Sequence, residues 1–209
     1  MIPSLPLRPR NRLAETIIAA PHDAAARAQL EALAAGPGDG WLTAGEGRFE
    51  GRLRERAQAA LRALASDAGL TGGASIAEAF ALAGALFDAG LYFEVHEVLE
   101  PHWVRAREAE ERQALQGLIQ VAVGYQHFAD GNLAGARSLL EQGGGRLHGR
   151  RVFGIDFEPL ARAAVAGAGG LPAAAAAALP ARGSRHQSTL TTSRGGREWI
   201  CRLRTRRHW

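Results

Sequence analysis

His96, Glu97 and Glu100 form a His-Glu-x-x-Glu run. On a helix, at about 100° per residue, His96 and Glu100 share one face with Trp103, flanked by Tyr92 and Phe93. Glu97 falls at the edge of this stripe and Glu94 points away. An imidazole nitrogen and a carboxylate one turn apart offer two ligands to a single divalent ion, with Glu97 as third ligand or general base. The run reads as a truncated H-E-x-x-H zinc motif in which Glu100 replaces the second histidine. Alone it is a weak signal, because ordinary helices often contain it.

A second set of polar residues follows. Gln113, Gln116, Gln120 and His127 fall within a sector of about 60° on a helix, together with Gly117 and Gly124. The connection between the two segments is short, so their helices should pack antiparallel. A turn near residue 107 sets Glu100 opposite Gln116 and His96 opposite Gln120. His127 lies seven residues beyond Gln120, roughly 10 Å along the axis at about 1.5 Å per residue. It should line the same groove without sharing an ion. Three readings follow: a structural network in which glutamine amides satisfy semi-buried carboxylates, a divalent metal site for hydrolysis, and a non-enzymatic helical-hairpin module that binds a peptide or small ligand. An enzyme needs His96, Glu97 and Glu100 to converge where solvent can reach; a binding module needs a groove instead.

Glycine and proline mark out the helices that would carry these groups. Helical spacing covers 49–66. Ser75 and Glu78 make a capping box ahead of a helix that runs to about Asp88 and stops at Gly90. Helices follow from about Tyr92 to Val104 and from Glu110 to Ala129, with Pro101 able to kink the first. Gly131 ends the second, and Asn132 caps a helix to about Gln142. Gly143-Gly144-Gly145 reads as a flexible stop, and a weaker helix is expected over 157–165. No alternating strand pattern stands out. An offset of 41 positions (131 minus 90) aligns two helix–Gly–helix units, Ala81 with Ala122 and Phe87 with Phe128 among the matches. This suggests tetratricopeptide-like stacking.

The string over 86–142 also carries a family resemblance. Phe87, Gly90, Tyr92-Phe93-Glu94, His96-Glu97, Glu100, Trp103, the run Leu115 to Gln120, Gly131-Asn132 and Gly135-Ala136 resemble the bacterial family catalogued as domain of unknown function 309. The resemblance implies a compact helical fold and brings the label of a predicted metal-dependent hydrolase. It covers about a quarter of the chain.

The expected architecture is all-α: a compact bundle of antiparallel helical hairpins over 49–166. An N-terminal extension, 1–48, would hold one helix and a Gly-rich linker, and 167–209 a low-complexity, Arg-rich, disordered tail. The pI of about 10.4 invites a nucleic-acid reading, but the charge is unevenly placed. Residues 182–209 hold eight Arg against Glu198, whereas 1–181 hold 17 Arg against 20 acids. A basic tail of this kind could bind polyanions non-specifically, or simply be solvated. No apolar run approaches the roughly 20 residues of a membrane span, no secretory signal opens the chain, and the single cysteine, Cys201, forbids an intrachain disulfide. These features favour a cytoplasmic protein. There is no phosphate-cradling loop, no dinucleotide fingerprint and no C-x-x-C.

Overall fold

The structure, a computed structural model, describes residues 5–38, 40–65 and 74–171; the basic tail lies outside them. The helices are α1 (Leu7–Ala19), α2 (Ala24–Ala35), α3 (Glu50–Ala65), α4 (Ile76–Asp88), α5 (Tyr92–Arg105), α6 (Ala109–Ala129), α7 (Leu133–Leu147) and α8 (Glu158–Gly169). A 3-10 turn, Ala44–Phe49, leads into α3, and a two-residue hairpin, β1 (Arg151–Val152) with β2 (Ile155–Asp156), precedes α8. The protein is an all-α bundle of antiparallel hairpins, in which successive helices from α4 to α8 pack on one another and α1 reaches across to α5. No helix among the described residues is long and apolar enough to cross a membrane.

The caps follow from local chemistry. Ser75 Oγ accepts from the Glu78 amide at 3.2 Å, and Glu78 Oε2 accepts from the Ser75 amide at 2.9 Å, so two orphan donors at the start of α4 are satisfied reciprocally. At the other end Gly90 has φ +74°, and the Leu91 amide bonds the Leu86 carbonyl at 2.9 Å. The same arrangement closes α6: Gly131 has φ +77° and the Asn132 amide bonds the His127 carbonyl at 2.8 Å. Both are Schellman caps, which need a left-handed residue that glycine supplies without a Cβ penalty. The two units of the 41-residue offset therefore turn in the same way.

Three local expectations need correction. Helix α7 does not stop near Gln142 but continues through Gly143-Gly144-Gly145 to Leu147. A Cβ on Gly143 would stand 2.8 Å from the Gly117 carbonyl oxygen and 2.9 Å from Val121 Cγ2; one on Gly144 would stand 2.7 Å from Val165 Cγ2. These glycines are what let α6 and α8 approach α7, and that packing offsets a propensity loss of about 1 kcal/mol per glycine. The N-terminal stretch holds two helices instead of one. Pro21 ends the first pattern, and the Asp23 carboxylate caps the second by accepting from the Ala25 amide at 2.8 Å. Leu13, Ile17, Leu30 and Leu33 of these helices are buried in the same core as Leu53, Leu86, Leu99 and Leu115. Finally, the hairpin turns on Phe153 and Gly154, both with positive φ (55° and 70°). Its primed-turn geometry matches strand twist, and Phe153 is held edge-on against Phe80 at 5.4 Å.

Candidate metal centre

Helix α5 buries Glu94, Val95, Val98 and Leu99. The 3.6-residue period then turns His96, Glu97 and Glu100 outward together. Each offers a ligand atom, and these atoms all lie within 4.8 Å of one another. His96 Nδ1 is 2.8 Å from Glu97 Oε1, and the two side chains are 26% and 31% exposed, so solvent reaches both. A carboxylate can only accept, so this contact keeps a proton on Nδ1 and leaves Nε2 as the ring's ligand position. One turn back, the Phe93 ring stacks on His96 at 6.2 Å, and the Arg10 guanidinium of α1 lies over Phe93 at 4.2 Å. These contacts restrict the imidazole from one side.

The glutamine stripe faces elsewhere. Gln120 Oε1 accepts from Arg146 Nε at 3.0 Å, and its amide nitrogen reaches Gln142 Oε1 at 3.4 Å. Gln113 also accepts from Arg146. Both therefore serve the α6–α7 interface. Among the described residues no hydrogen bond joins His96 to Gln120 or Glu100 to Gln116, so glutamine amides do not satisfy these groups. The reason lies in the same stripe: Gly117 and Gly124 admit Leu147 and Leu140 of α7, and Gln113 and Gln120, sharing their face, turn with them. Gln116 is half-buried.

His127 sits at the α6–α7 turn, away from the cluster. Asn132 Oδ1 accepts from the Gly135 amide at 3.0 Å, which leaves Asn132 Nδ2 to donate to His127 Nδ1 at 2.7 Å. Tyr92 belongs to an aromatic group with Phe87 (5.1 Å) and Tyr125 (5.4 Å). Burial pushes both phenols above their usual pKa, helped at Tyr92 by Tyr125 and Asp88. Trp103 is half-buried under the Arg112 guanidinium, 4.8 Å from its ring, and its indole nitrogen is buried with no hydrogen-bond partner among the described residues.

Sequence spacing placed Glu94 away from the stripe but did not give it a role. It is fully buried, and Arg56 of α3 donates to its Oε2 at 2.5 Å; its Oε1 has no partner among the described residues. A charged residue on the apolar side of an amphipathic helix signals a buried counter-charge. No local pattern identifies that partner 38 positions away.

What the fold and this cluster define is a helical-bundle protein with a three-residue His/Glu group on one exposed helix face. Residues 80–139, from α4 to the middle of α7, match the family model described as Domain of unknown function (DUF309). No curated protein and no solved structure matches the chain.

Proposed function

We propose that the domain binds a divalent metal ion through His96 and Glu100, with Glu97 beside them, and acts as a metal-dependent hydrolase. The observation that supports this is the convergence of the three side chains within 4.8 Å on a solvent-reachable face. The donor set fits: one imidazole and two carboxylates suit Zn²⁺ or a harder first-row ion, and so few protein ligands leave coordination positions open, as catalytic sites do. When bound, such an ion supplies Lewis acidity and lowers the pKa of its water.

The chain's own residues have separable tasks. His96 and Glu100 hold the ion. Glu97 orients the His96 ring through Nδ1, and its second oxygen is available to take a proton from a nearby water. Phe93 and Arg10 restrict the ring's rotation. A cytoplasmic setting and a small-molecule or peptide substrate complete the proposal.

Metal analysis of the purified full chain, repeated for His96→Ala and Glu100→Gln, tests it. One equivalent of a divalent ion should copurify or rebind in the wild type, and each substitution should weaken uptake by about tenfold or more while the apo fold survives. A wild-type protein with no stoichiometric ion and no thermal response to chelator would sink the reading.

A further inference from the structure

Phe93 has a second environment. With Gly90 it helps wall a cleft of about 270 Å³ lined by residues of α1, α3, α5 and the end of α6. The charged lining is Arg10, Arg52 and Arg56, with Glu55 and Asp130 facing them. The volume lies near the lower end of small-molecule pockets, roughly 300 Å³. A group of metabolite size fits; a folded partner does not.

The charges are not equally committed. Arg56 is anchored by the buried Glu94, so its position is fixed and its charge compensated. Asp130 already accepts from Gln126 Nε2 at 2.9 Å, and Glu55 is exposed at the rim. Arg10 differs from all three. Its guanidinium lies over the Phe93 ring, its Nε makes a long 3.4 Å contact with Asn11, and it has no carboxylate partner among the described residues. A guanidinium over an aromatic face still has N–H groups to offer an acceptor, and its fork suits the two oxygens of a carboxylate or phosphate. Arg52, one turn before Arg56 on α3, brings a second guanidinium to the same cleft.

We infer that this cleft is a binding site for a small organic anion, whose carboxylate or phosphate oxygens are held by Arg10 and Arg52. The inference stands whether or not His96, Glu97 and Glu100 hold a metal. If they do, Phe93 places the anion site next to the ion.

Calorimetric titration of the full chain with inorganic phosphate and, separately, with succinate, at constant ionic strength and with chelator present, tests the site without involving a metal. At least one probe should bind saturably with a Kd of about 1 mM or tighter. A phosphate-only response assigns the ligand to phosphate esters, and a succinate-only response to carboxylates. Arg10→Gln and Arg52→Gln should each weaken binding by about tenfold. Glu55→Gln removes a like charge from the rim and should strengthen it. Arg27→Gln, on an exposed ion pair of α2, should change nothing. No saturable binding of either probe overturns the site. So does unchanged affinity in a folded Arg10→Gln variant, which would assign the anion to the arginines of the tail.

Discussion

The two faces of α5 carry the same functional group in opposite circumstances. On the inner face Glu94 is wholly removed from water, and its charge is met by one guanidinium from α3. On the outer face Glu97 and Glu100 stay in reach of solvent, beside a histidine and with no arginine partner among the described residues. A carboxylate in the interior must bring its own cation, because its desolvation costs several kcal/mol. One at the surface need not, and remains open to an ion from outside. Acid content alone therefore does not locate chemistry on this helix; the side of the helix does.

The largest expected effect lies on the inner face. Arg56→Met leaves Glu94 buried and uncompensated and should cost about 3–5 kcal/mol of unfolding free energy in denaturant titration. Adding Glu94→Leu should restore most of it, since a buried pair replaced by apolar groups is often neutral. If the single change is harmless, Glu94 is not held as a charge and the contrast between the faces collapses.

A smaller loss is expected where helices meet without charge. Gly143→Ala puts a methyl group against the Gly117 carbonyl and Val121, and overpacking of this kind costs about 1–3 kcal/mol. A stability equal to or above wild type would mean that α6 and α7 can move apart freely. Gly145, with open space around it, is the internal control.

Between these faces sits Tyr92, whose phenol, like that of Tyr125, burial holds above the usual value of 10.0. Each raised folded pKa contributes stability that is present in full below pH 10 and is lost as pH rises through the folded value. The chain has two tyrosines and no lysine, so phenolate absorbance should report these groups cleanly. Its midpoint should lie above that of the unfolded chain. Coincident midpoints would show that the aromatic cluster is open to water.

The smallest effect belongs to the outer face. Glu97→Gln and Glu100→Gln should each leave metal-free stability within about 0.5 kcal/mol, as substitutions away from buried features usually do. A loss like that of Arg56→Met would mark these carboxylates as structural and weaken the metal proposal.

Local spacing accounts for much of what is seen. The reciprocal cap of Ser75 and Glu78, the glycine stops at 90 and 131, the Asn132 cap and the shared orientation of His96 and Glu100 all depend on residues within about one turn of each other, where a helix's period leaves little freedom. The exclusion of Glu94 from that stripe was legible for the same reason. Packing determined everything that depends on how one helix is rotated against the next. Spacing alone puts Gln113 and Gln120 on one stripe, but whether it faces α5 or α7 hangs on Gly117, Gly143 and Leu147, which come together only when the helices dock. Gly143 and Gly144 stay in the helix because α6 and α8 press on them, a contact that outweighs local propensity. Arg56 met Glu94, and Arg10 met Phe93, across 38 and 83 positions of chain (94 minus 56; 93 minus 10). Spacing within a helix cannot encode such pairs, because the side chains share no backbone geometry until the core has formed.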